Sequence, residues 1–139
     1  HLYAWSDQAG DEVLTTYERT PIAYSPQLVL SNTLTFTHRA FEAALTSQYV
    51  GMQYLDNTGS RERSLPAYHV ASLRLGYELP VHFVRSWSIS LQINNLFDAR
   101  YSSNGGAGYT FDKNGAISSY TWTYPQAGIH AFLGTTITI

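Results

Sequence analysis

Five histidines invite a metal or haem reading, but His1, His38, His69, His82 and His130 share no ligand spacing, so they are expected to be solvated or interfacial. No metal site and no cofactor is assigned. The carboxylates Asp7, Asp11, Glu12 and Glu18 are scattered through a segment that reads as loop. No nucleophile elbow, zinc-binding helix or Ser/His/Asp set stands in a structural context, so no catalytic residue is assigned and the chain is expected not to be an enzyme. Gly105, Gly106 and Gly108 resemble a phosphate-binding loop only superficially, because no strand-to-helix context with a following Lys surrounds them. The absence of cysteine removes disulfides and thiolate metal sites. A net charge of -2 without a basic stripe argues against a nucleic-acid surface.

The richest recognition chemistry lies between Asp98 and Gln126. Tyr101, Asn104, Tyr109, Phe111, Tyr120, Trp122 and Tyr124 are side chains that stack on planar ligands and supply hydrogen bonds, and a long loop on a rigid wall is where such contacts belong. The competing reading is that these aromatics pack the loop against itself or form an interfacial girdle.

Something must hold that loop, and the flanking sequence reads as five strands: Leu28 to Thr37, Phe41 to Leu55, Ala67 to Leu79, Trp87 to Phe97 and Ala127 to Ile139. Their linkers alternate short, long, short, long, which is the rhythm of an up-and-down outer-membrane β-barrel. About 10 to 15 residues at about 3.3 Å each give roughly 33 to 50 Å, and a tilt near 45° reduces that to the thickness of a bilayer's apolar core. Soluble strands usually stop at about half that length.

Alternation agrees with this reading. Trp87, Ile89, Leu91 and Ile93 oppose Ser88, Ser90, Gln92 and Asn94, and Ala71, Leu73, Leu75, Tyr77 and Leu79 oppose Ser72, Arg74, Gly76 and Glu78. The charges Glu42, Arg74 and Glu78 fall on the polar parity, as they must when a cation at the midplane of a lipid face costs about 2 to 4 kcal/mol. Arg74, Glu78 and His130 are therefore expected to face the lumen. Asn32, Ser47 and Thr135 interrupt the apolar parity. With His38 to Ala40 and Pro80 to Ser86 as the short connections at the periplasmic rim, Phe36, Phe41, Tyr77 and Trp87 share one height, as an aromatic girdle requires.

A chain of 139 residues reads as one segment, 1–139, and no stretch approaches the roughly 18 apolar residues of a membrane helix. Five strands and a partial one at Leu2 to Ser6 cannot close a large barrel, and open edges in lipid would leave backbone groups unpaired. The chain, which begins at His1, is therefore expected to be a piece of something larger. Two alternatives make other demands: a soluble ligand-binding β-barrel or sandwich needs a closed strand count, and a small autonomous membrane barrel needs about eight strands.

Several motifs occur in a telling order: Thr20-Pro21-Ile22-Ala23-Tyr24-Ser25-Pro26, then Tyr49 to Thr58, then Arg63-Ser64-Leu65-Pro66-Ala67-Tyr68, then Asn94-Asn95-Leu96-Phe97-Asp98, then Tyr124-Pro125-Gln126-Ala127-Gly128. Together they resemble the C-terminal barrel region of a TonB-dependent outer-membrane receptor, especially the Bacteroidetes form, from about residue 20 onward. The resemblance implies an all-β, antiparallel segment of a 22-stranded barrel, with the plug absent from this chain and lying upstream. It implies uptake of a scarce nutrient with TonB-supplied energy across the cell outer membrane. The implied partners are outer-membrane lipid, the remaining barrel and plug, and an energising protein engaged through an upstream segment. The loop after Asn94 to Asp98 departs from the sugar-transporting branch and points toward an iron chelate, such as a siderophore complex, haem or a similar cofactor. The last strand also resembles the signal read by the barrel-assembly machinery through Gly134, Ile137 and Ile139, although that signal usually ends in an aromatic residue.

Overall fold

The computed structural model describes residues 2–5, 12–15, 19–111 and 117–139. Among these, the strands are β1 (Leu2–Trp5), β2 (Glu12–Thr15), β3 (Val29–His38), β4 (Phe41–Val50), β5 (Gln53–Tyr54), β6 (Ser64–Leu65), β7 (Tyr68–Glu78), β8 (Ser86–Asn94), β9 (Ser102–Phe111), β10 (Ile117–Pro125) and β11 (His130–Thr138), with a 3-10 turn at Arg61–Arg63. They form two compact units.

The first is a five-stranded antiparallel sheet in the order β11-β8-β7-β4-β3. Its strands correspond to the five expected from the sequence, but β8 stops at Asn94 where the expected strand ran to Phe97, β11 starts at His130 where the expected strand began at Ala127, and one strand is interrupted. The second expected strand, Phe41 to Leu55, is broken: β4 ends at Val50, and Gln53–Tyr54 leaves the sheet to pair with Ser64–Leu65. The break falls at Gly51, whose amide turns to the Leu28 carbonyl at 2.8 Å.

Register places the apolar residues in continuous rows. Leu34, Leu45, Leu73, Ile93 and Ala131 lie side by side across the five strands, and so do Phe36, Ala43, Leu75, Leu91 and Leu133. Paired residues point to one face, so both rows belong to the same face. The opposite face carries Thr37, Glu42, Gly76, Ser90 and Gly134 in one row and Thr35, Ala44, Arg74, Gln92 and Phe132 in the next.

The apolar face is open. Leu34 is 70% exposed, Phe36 60% and Leu133 78%, and no element of the sheet unit covers them. Burying such a side chain is worth about 1.5 to 3 kcal/mol, so a whole face of them left in water is untenable. A lipid contact satisfies it.

Two of the three residues that interrupt the apolar parity have partners. Thr135 Oγ1 accepts the Trp87 indole N–H at 2.8 Å and lies 3.3 Å from the Ser88 carbonyl, to which its hydroxyl donates. Ser47 Oγ hydrogen-bonds His69 Nε2 at 2.7 Å. Asn32 stands opposite Ser47 in the β3–β4 ladder.

The second unit holds the β1–β2, β5–β6 and β9–β10 hairpins. Most of the segment expected to be a long loop is thus a regular hairpin, paired from Ile117↔Phe111 to Tyr124↔Asn104. Alternation of Tyr120, Trp122 and Tyr124 with Thr121 and Thr123 is strand-like, and the glycines of the facing strand disguise it. Within this unit Leu65 is fully buried and Leu55 nearly so.

Candidate functional site

The polar face of the sheet carries three hollows of about 280, 340 and 260 Å³. Arg74 lines the first and second of them and Ser72 the second and third, so neighbouring hollows share a wall residue. Arg74 and Glu78, expected to face the lumen, line the hollow at the short-turn end together with Glu42. They form no ion pair with each other among the described residues, where the ion pair present is Arg63–Asp56.

His130, the third residue expected on this face, lines the hollow at the long-loop end. Its surroundings fix a direction of hydrogen bonding. The ring Nδ1 lies 2.8 Å from the Gly128 carbonyl, which only accepts, so Nδ1 carries the proton. Nε2 then accepts from Asn94 Nδ2 at 3.2 Å, and Asn94 Oδ1 accepts from Gln92 Nε2 at 2.9 Å. Tyr101 lines the same hollow and stacks on Tyr68, ring centroids 4.4 Å apart. Tyr101 is the ligand candidate that belongs to the sheet unit. Phe132, on the polar face, meets His130 edge-on with centroids 5.4 Å apart and had no place in the sequence reading, where Tyr68 figured only as the end of a motif.

The hollow is held by a buckle built from Asn95 and Asp98. Asn95 is buried, with φ at +51°, and its Oδ1 accepts the Ala99 amide at 2.8 Å. Its Nδ2 donates to the Ala99 and Ala127 carbonyls at 2.9 and 3.1 Å. Asp98, with φ at +50°, accepts the Ile129 amide on Oδ1 at 2.9 Å. A Cβ on Gly128 would stand 2.5 Å from that oxygen, so a side chain there would have to displace the Asp98 carboxylate. Asn and Asp are the non-glycine residues that tolerate this backbone region and bond locally to the chain. The Asn94 to Asp98 motif therefore ties the end of β8 to the start of β11.

The remaining ligand candidates sit in the hairpin unit. Tyr120 pairs with Gly108 and Trp122 with Gly106, and each ring lies over its glycine so closely that a Cβ there would collide with it. Tyr109 donates to Asp56 Oδ2 at 2.6 Å and lies beneath the Arg63 guanidinium, 5.2 Å from the ring centroid. Asn104 Oδ1 accepts the next amide, that of Gly105, at 2.8 Å, and Tyr124 is exposed. Packing within the hairpin thus engages Tyr109, Tyr120 and Trp122. His1, Asp7, Asp11 and Glu18 lie outside the described residues, as do the side chains of Glu12 and Phe111.

Asp56 is the centre of this packing. Its Oδ1 accepts the Thr58 amide at 3.0 Å and the Thr58 hydroxyl, and its Oδ2 accepts Arg63 Nε at 2.6 Å. Burial pushes its carboxyl up, but the Thr58 and Tyr109 hydrogen bonds and the Arg63 charge outweigh that and hold it below the usual carboxylate value. Nothing in the spacing of Asp56, Thr58, Arg63 and Tyr109 along the chain points to this cluster.

An antiparallel sheet with one apolar, uncovered face and one polar, hollowed face is consistent with a fragment of a β-barrel wall. The family described as TonB dependent receptor-like, beta-barrel, matches residues 2–96, and the chain belongs to that family. Its members are transporters, not enzymes, and membership implies an outer-membrane location. Comparison with curated proteins and with solved structures finds no match.

Proposed function

We propose that residues 1–139 form the C-terminal wall of an outer-membrane active-transport receptor that takes up a scarce nutrient, an iron chelate, haem or a similar cofactor, with TonB-supplied energy. The observation that carries this reading is the two-faced sheet, whose uncovered leucines suit lipid while Glu42, Arg74 and Glu78 sit on the other side. The free edges of β3 and β11 suit the remaining strands of a 22-stranded barrel, and the charged hollow suits contact with an upstream plug. Gly134, Ile137 and Ile139 on the last strand suit recognition by the barrel-assembly machinery. In this reading Tyr101, Asn104, Tyr109, Tyr120, Trp122 and Tyr124 are the ligand-contact candidates, and Arg74, Glu78 and His130 face the lumen. The test is uptake of ferric chelates and haem by iron-starved cells with and without the gene, in strains with and without a functional TonB-type protein. Uptake that needs both supports the proposal. Uptake unchanged by deleting either rejects it.

A further inference from the structure

One polar side chain on the apolar face has no partner within the sheet. Asn32 lies in β3 opposite Ser47, and Ser47 lies opposite Ala71, so this row runs beside that of Leu34, Leu45 and Leu73 on its long-loop side. Asn32 is exposed, and its side-chain amide makes no hydrogen bond among the described residues. The row does not end the apolar parity: one step further along β3 comes Leu30, 53% exposed, opposite Tyr49. Asn32 is thus an amide set between two exposed leucines, Leu30 and Leu34.

Ser47 and His69 extend the interruption. His69 stands opposite Tyr49 on the same face, and its Nε2 meets Ser47 Oγ at 2.7 Å on the diagonal of the β4–β7 pair. Whichever of the two donates, the ring Nδ1 of His69 is left without a partner among the described residues. An amide facing hydrocarbon needs acceptors for its N–H groups and a donor for its oxygen, and leaving both unmet is expensive. Where lipid covers this face, lipid must supply them. A lipid with ester-linked chains offers only acceptors at the depth of its acyl linkages. A glycolipid whose hydroxyacyl chains are amide-linked to its sugar offers N–H, C=O and O–H groups together, which meets both ends of the Asn32 amide and leaves a hydroxyl for the Ser47–His69 pair.

Resting on the outer-membrane reading above, in which the long-loop end lies in the outer leaflet, we infer that Asn32, Ser47 and His69 form a docking site for such an amide-linked glycolipid. Its sugar lies toward the long loops, and its acyl chains run along the leucine rows toward the short-turn end. The site is continuous with those lipid-facing rows and adds hydrogen-bond specificity to a contact that is otherwise apolar.

The test is native mass spectrometry of the whole receptor carrying this chain, exchanged into nanodiscs of phosphatidylethanolamine mixed with lipid A, which is a glycolipid of this kind. The expected result is retention of lipid A in preference to phosphatidylethanolamine, with that preference falling about 10-fold in Asn32→Leu and in His69→Leu. Asn32→Leu makes the apolar parity of β3 continuous from Leu30 to Phe36, so the variant is expected to fold. Equal retention of the two lipids, or a preference unchanged in both variants, overturns the inference. No retained lipid, with Asn32→Leu less stable than the parent, overturns it and assigns the amide's partner to the strand that adjoins β3 in the whole receptor. Paired receptors that separate in Asn32→Leu overturn it in favour of a contact between copies. Each of these results leaves the transport reading standing, because TonB-dependent uptake decides that reading separately.

Discussion

Trp87 donates its indole N–H to Thr135 Oγ1 at 2.8 Å, across the β8–β11 pair and on the apolar face of the sheet. A tryptophan in an aromatic girdle ordinarily finds its partner among lipid headgroups or water. Here the protein supplies the acceptor, and Phe83 closes on the same ring edge-to-face at 6.2 Å. A hydroxyl that looks misplaced on the apolar parity is the partner that lets the ring sit against lipid.

Replacing Thr135 with Val keeps the shape and removes that acceptor. An unpaired N–H without access to water costs about 1 to 3 kcal/mol, so Thr135→Val should lower the urea stability of the membrane-embedded receptor by that amount. Thr135→Ser should restore most of it. Equal stability of the Val variant and the parent would mean that Trp87 reaches water.

The buckle predicts a larger loss. Asn95→Ala removes three hydrogen bonds and strands the Ala99 amide and the Ala99 and Ala127 carbonyls, for an expected cost of about 2 to 4 kcal/mol. Amide hydrogen exchange should quicken at Ala99 and at Ile129, whose amide depends on Asp98. Protection unchanged at both positions would count against a tie between β8 and β11.

Gly106 and Gly108 carry the rings of Trp122 and Tyr120, so a side chain at either position must displace an aromatic. Gly106→Val is expected to displace Trp122 directly and Gly108→Val to disturb it through Tyr120, whose ring lies 5.8 Å from it, each shifting the Trp122 fluorescence at a cost of about 1 to 3 kcal/mol to the hairpin. A spectrum unmoved in both variants would separate the rings from the glycines.

Asp56 makes the hairpin unit acid-sensitive. Its folded-state carboxyl is held below the ordinary 3.8, so its contribution to stability is fully present above that value and is lost as pH falls through the lower, folded value. Asp56→Asn should flatten that acid limb and weaken the hold on Arg63 and Tyr109 even at neutral pH. Proteolytic nicking between Asp56 and Arg63, followed against pH, reads both effects. An identical acid limb in parent and variant would assign it to other groups.

How much of this was legible in the sequence follows from the physics of each part. The five sheet strands announce themselves because residues such as Leu73, Leu75, Ile89 and Leu91 alternate with a period of two, a pattern that lipid on one side favours along the whole strand. Arg74, Glu78 and His130 could be placed on the polar face by the same parity. The β9–β10 hairpin was hidden because only β10 carries a strand-like alternation, while β9 is glycine-rich and its pairing rests on rings from the other strand, a cross-strand relation that β9 itself does not display. The break after Val50 and the Asp56 cluster depend on residues distant in sequence, such as Asp56 and Tyr109. The motif from Asn94 to Asp98 was visible as a motif, yet its physical role required the left-handed backbone at Asn95 and Asp98.

The central claim is that one face of the sheet meets lipid and the other does not. Single cysteines can be placed along β8 from Trp87 to Asn94, in a chain that has none of its own, and spin-labelled in a receptor otherwise freed of cysteine and reconstituted in a bilayer. Labels at 87, 89, 91 and 93 should be accessible to dissolved oxygen and shielded from a water-soluble relaxant, and labels at 88, 90, 92 and 94 should show the opposite. Accessibility that fails to alternate, or alternates with the opposite parity, would contradict the account.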